Sequence, residues 1–138
     1  MKRYAKNSPE AVARVLAMTM VTDARLDDRE LDIMERLGLY ELLGLTRREF
    51  SEVLRTYCDD VVAAGSADGR VNLMDRTTVD AVLDAVDDPA RRLQAATMVL
   101  NIVKADEDFH DAELALLRHI LERWGLSLTD VRRAVSDA

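Results

Sequence analysis

Between Thr46 and Val61 the chain reads TRREFSEVLRTYCDDV, and its apolar residues Phe50, Val53, Leu54, Tyr57 and Val61 recur three and four positions apart. That spacing lines one face of an α-helix; a strand cannot use it, because strand side chains alternate at period two. The boundaries agree with the stripe. Gly44 closes what precedes it, and Thr46 with Glu49 has the spacing of a capping box, in which each residue satisfies the other's backbone N–H. The helix so predicted ends at about Gly65.

The same period runs through the rest of the chain. Ser8, Pro9 and Glu10 open a helix with a capping hydroxyl, a preset φ and an acid at the positive end. Val12, Val15, Leu16, Thr19 and Met20 form its buried face, and the polar stretch Asp23 to Asp28 breaks it. Leu31, Met34 and Leu37 resume a stripe, with Gly38 an end or a kink. Val79, Val82, Leu83 and Val86 mark a shorter helix; Asp88 and Pro89 restart the chain ahead of Leu93, Ala96, Leu100 and Val103. Leu114, Leu117, Ile120, Leu121 and Trp124 follow, stopped by Gly125, and Ser127 with Asp130 caps a last helix carrying Val131 and Val135. No segment sustains period-two alternation, so no strand is predicted. The expected fold is all-α: one domain over residues 1–138, a compact bundle of about seven helices.

Composition narrows the function. A net charge of −7 argues against nucleic acid, which needs a basic surface to displace counterions. No apolar run approaches the roughly 20 residues of a membrane span, so no direct membrane insertion is expected. The opening MKRYAKNSPE lacks the apolar stretch of a signal peptide, and the single Cys58 has no thiol to pair with. A cytoplasmic location is the expectation.

One pattern is written twice. VTDARLDDREL (21–31) and KADEDFHDAEL (104–114) share two Asp, a Glu and a Leu at identical spacing: Asp23 matches Asp106, Asp28 matches Asp111, and Glu30 matches Glu113. Each acidic segment follows a helix opened by Ser8-Pro9 or Asp88-Pro89, and each leads to a second helix, a Gly-Leu and a hydroxyl cap. The expectation is an internal two-fold pseudo-repeat, about residues 8–64 and 88–136.

With TDARLDDRE at 22–30 and ADEDFHDAE at 105–113, an all-helical chain of this length resembles the TerB-like, tellurite-resistance B family, from about Ser8 to Val135. Both segments depart from the family pattern where Gly is usual, at Ala24 and Glu107. The resemblance implies a bundle of about seven helices with acidic side chains of both segments on one surface, holding a divalent cation. It further implies no catalytic activity, a role in tellurite and other stress resistance, and other proteins of a stress-response complex as partners. Carried over residue by residue, the ligands are Asp23, Glu30, Asp106 and Glu113, with Asp28 and Asp111 as weaker additions.

The residues themselves leave two readings open. Asp27 can cap a helix whose box Glu30 closes, with acids favoured by the helix dipole. In the second segment the cap position holds His110, a poor cap, yet Glu113 is in place, which favours cation binding. An ordinary calcium loop is ruled out, because its first two oxygen positions hold Thr19 and Val21, or Ile102 and Lys104. A cation would therefore draw on both halves, and the all-oxygen set suits calcium, magnesium or manganese. A third segment, ADGRVNLMD at 67–75, reads as an Asp-Gly turn whose Asp68 is a further acidic candidate.

Little supports an enzyme. Cys58 precedes Asp59 and Asp60, which disfavour a thiolate, and no phosphate-cradling Gly loop or elbow serine is present. His119 is expected at an interface or in solvent, the Arg pairs 47–48, 91–92 and 132–133 in ion pairs, and Trp124 in the core. The expected function is a non-enzymatic cation-binding module; the alternative is an acidic scaffold that docks a basic partner without metal.

Overall fold

The computed structural model describes residues 4–20, 28–64, 76–105 and 111–136; at 20, 28–30, 61–64, 76–78, 103, 105, 111–114, 132 and 134–136 it describes the backbone alone. The described residues form eight helices and no strand: α1 (Pro9–Met20), α2 (Asp28–Arg36), α3 (Leu39–Leu43), α4 (Arg47–Ala64), α5 (Arg76–Asp84), α6 (Pro89–Ala105), α7 (Asp111–Trp124) and α8 (Leu128–Ser136).

Several helix starts carry the predicted caps. Ser8 Oγ accepts from Ala11 N at 3.1 Å. Glu49 N donates to Thr46 Oγ1 at 3.1 Å, and Thr46 N donates back to Glu49 Oε1 at 3.0 Å, a closed capping box. Ser127 and Asp130 repeat it, both bonds 3.1 Å, and the Ser127 N–H holds the Asp130 carboxyl below the usual range.

The eighth helix arises at Gly38. Its φ of 70° turns the chain out of α2 and straight into the five-residue α3, which Gly44 ends with φ 78°. Glycine adopts this left-handed conformation without the steric cost of a Cβ. The N–H groups of Gly44 and Leu45 both reach Tyr40 O, at 3.0 and 3.1 Å, closing the helix end. The double turn takes Leu37 off the predicted stripe: it is 37% exposed, whereas Leu31 and Met34 are buried.

Helix α1 is the centre of the molecule, packing against α3, α4, α5, α6 and α7. Every side chain from Ala11 to Thr19 is buried, so the predicted one-sided stripe understates its burial. Alanines at 11, 13 and 17 let neighbours close over the remaining faces. Even Arg14 is only 5% exposed. Its guanidinium carbon lies 5.0 Å from the Tyr4 ring centroid, and burial pushes its pKa down against the pull of Tyr4 and Asp60. Thr19 Oγ1 donates to Leu16 O at 2.7 Å, which satisfies a hydroxyl that water cannot reach.

Phe50, Val53, Leu54 and Tyr57 are buried as their stripe predicts. Trp124 is in the core, as expected, and its Nε1 donates to Leu83 O at 3.2 Å, tying α7 to α5. Arg92 makes two contacts besides its charge on Asp87. Its Nε donates to Val86 O at 2.8 Å and its guanidinium carbon lies 5.9 Å from the Trp124 ring centroid.

Candidate functional site

A single side chain joins the starts of the two helices that lead to the acidic segments. Asn7 takes φ 62°, a left-handed conformation that Asn tolerates better than most residues. Its N–H donates to Ala85 O at 2.8 Å. Its Oδ1 accepts from Asp87 N at 2.9 Å and Asp88 N at 3.0 Å, and its Nδ2 donates to Asp87 Oδ1 at 2.6 Å. The Asn7 hydrogen bond first, then the charges of Lys6 and Arg92, hold the Asp87 carboxyl below its ordinary range. The start of α1 is thus clipped to the start of α6, eighty residues later.

Helices that begin at one clip and pack together run in the same general sense, and α1 and α6 pack together. At about 1.5 Å per residue they extend roughly 18 and 25 Å from the clip. The next helices cross over. α2, which follows α1, packs on α6 as well as on α3 and α4; α7, which follows α6, packs on α1 as well as on α5 and α6. The fold therefore interleaves the two helix pairs that flank the acidic segments.

Asp28 and Glu30 stand in the first turn of α2, and Asp111 and Glu113 in the first turn of α7, at backbone positions whose side chains lie outside the description. Asp23, Asp27, Asp68 and Asp106 lie outside the described residues. A first-turn carboxylate complements the helix dipole, so the capping reading keeps a physical basis at these four positions. Among the described residues, no three His, Cys, Asp or Glu side chains gather as a metal site.

Two interhelical ties join partners that the sequence left unassigned. Arg47 Nη1 of α4 reaches Asp32 Oδ1 and Glu35 Oε2 of α2, both at 2.8 Å, and Asp32 first raises its pKa. On the other side Arg123 of α7 grips Asp84 of α5 through Nε at 3.1 Å and Nη2 at 2.8 Å. His119 Nε2 lies 2.8 Å from Asp80 Oδ1, and Arg123 Nη1 lies 3.5 Å from Asp80 Oδ2. His119 thus stands half-buried at the α5–α7 interface. The signal was present: Asp80 and Asp84, like His119 and Arg123, are four apart and share one helix face.

These features define a class: an all-helical bundle around a central helix buried from Ala11 to Thr19, with two acid-bearing helix starts on interleaved helix pairs. The chain matches the family model described as tellurite resistance protein TerB over residues 9–136. It belongs to that family. No curated protein and no solved structure matches it, and among the described residues no helix is long and apolar enough to cross a membrane.

Proposed function

We propose that this TerB-family protein is a non-enzymatic binding module that holds a divalent cation through Asp23, Glu30, Asp106 and Glu113, with Asp27, Asp28, Asp111 and Asp68 as further acidic contributors. Calcium, magnesium and manganese suit such a set of hard oxygens. The observation that carries the reading is the interleaving: α1 and α6 leave one clip together, and α2 and α7, whose first turns hold Glu30 and Glu113, each pack on the first helix of the other pair. Clustered carboxylates repel, and a bound cation would relieve that repulsion and set the angle between the two pairs. The module would serve in the cytoplasm, within a complex of stress-response proteins.

Calorimetric titration with each of the three metals tests this. Heat of binding is expected for the native protein and is lost on replacing Glu30→Gln together with Glu113→Gln. No heat at millimolar metal, or unchanged heat in the double variant, removes the proposal.

A further inference from the structure

Helix α3, which the sequence pattern does not predict, reaches back to α2. The Gly38 turn folds it over, and the Tyr40 hydroxyl donates to Leu31 O at 2.9 Å in a buried bond. Leu31 lies in the first turn of α2 and directly follows Glu30. A carbonyl oxygen has two lone pairs, so Leu31 O can accept this bond and still serve its own helix. Tyr40 is itself fixed at both ends. Its carbonyl accepts from the N–H groups of Gly44 and Leu45, and its ring meets the Phe50 ring of α4 edge-on, centroids 5.7 Å apart.

Arg47 holds the next residue of the same helix. Its Nη1 meets Asp32 Oδ1 and Glu35 Oε2, each at 2.8 Å. The two residues that follow Glu30 are therefore gripped from two different helices, Leu31 from α3 and Asp32 from α4. A helix of nine residues is too short to be stable in isolation, so such outside contacts set where its first turn stands.

We propose that Tyr40 and Arg47 are positioning residues for the cation site: they hold the backbone of the first turn of α2, and with it the place from which Glu30 binds. The inference rests on the cation reading above and adds to it two residues that touch no metal. Its physical basis is preorganisation. A carboxylate carried on a turn that is already held loses less freedom when it binds, and affinity rises by that saving.

Calorimetric titration with calcium, magnesium and manganese in turn tests it on conservative variants. Tyr40→Phe removes one hydroxyl, keeps the ring on Phe50, and should weaken binding about fivefold, the worth of one hydrogen bond. Arg47→Gln should weaken it about threefold, as suits partly exposed ion pairs. Arg47→Lys should restore most of that loss, because one nitrogen makes both contacts and an ammonium offers one nitrogen with three donors. A double-mutant cycle separates positioning from general loosening. In a Glu30→Gln background Tyr40→Phe should weaken the residual binding no further, whereas in a Glu113→Gln background its full effect should persist. Without metal, amide exchange along α2 should quicken in Tyr40→Phe while that of α7 stays unchanged. Absence of heat with the native protein removes the cation reading and this inference together. Native affinity in both Tyr40→Phe and Arg47→Gln, or an equal loss from Tyr40→Phe in the two glutamate backgrounds, overturns this inference alone and leaves the cation reading standing.

Discussion

Helices α1 and α4 both start at a hydroxyl cap, both carry an apolar stripe at helical spacing, and they pack against each other. Around α1 every side chain from Ala11 to Thr19 is buried, whereas Glu49, Glu52, Arg55 and Asp59 of α4 face water. The contrast shows that a stripe states only the least a helix must bury. Charged residues at regular intervals hold one side of α4 in solvent. Alanine commits α1 to neither side, so its surroundings are decided by what packs on it.

The largest expected effect tests this contrast at its centre. Leu16→Ala should lower the unfolding free energy by about 3 kcal/mol in urea denaturation, and Arg55→Ala by less than about 0.5 kcal/mol. Equal losses would remove α1 from the centre. Next, Ala13→Leu inserts methylenes where α1 has no free face and should cost about 2 kcal/mol, although leucine is an excellent helix former. A stabilised protein would show that this side of α1 is open.

Alkaline titration comes third. Burial raises the pKa of all three tyrosines: Tyr4, Tyr57 and Tyr40, the last pushed up to about 12 from 10.0. Tyr40 also donates its hydroxyl to Leu31 O at 2.9 Å. A raised folded pKa means that stability is intact below pH 10 and falls as pH rises towards 12. For Tyr40 the loss is roughly 1.5 kcal/mol once solvent screening is allowed for. Phenolate absorbance should therefore lag that of free tyrosine until the chain unfolds; an ordinary titration of all three would show the rings are not buried. The smallest effect lies at the start of α4, where Thr46→Ala opens the capping box and should cost about 1 kcal/mol, read by thermal melting.

The family was legible in the two acidic segments, where Asp and Glu recur at equal spacing, and it matches over residues 9–136. Leu37 was misread, since a stripe continues on paper through a glycine that the backbone uses to turn. An ion pair was expected at Arg47 without its partners, and the tie of Arg123 was missed, because a single charge on a helix does not announce its partner on another.

What the sequence by itself determined lies within about four residues of any position: the helical period, the hydroxyl caps and the glycine stops, all set by local backbone hydrogen bonding. Tertiary structure alone decided that α1 would have no exposed side from Ala11 to Thr19, that Asn7 would clip α1 to α6 across eighty residues, and that α2 would pack on α6 and α7 on α1. Those outcomes depend on which apolar surfaces and unpaired N–H groups meet when distant segments collapse together, and no local spacing encodes that choice.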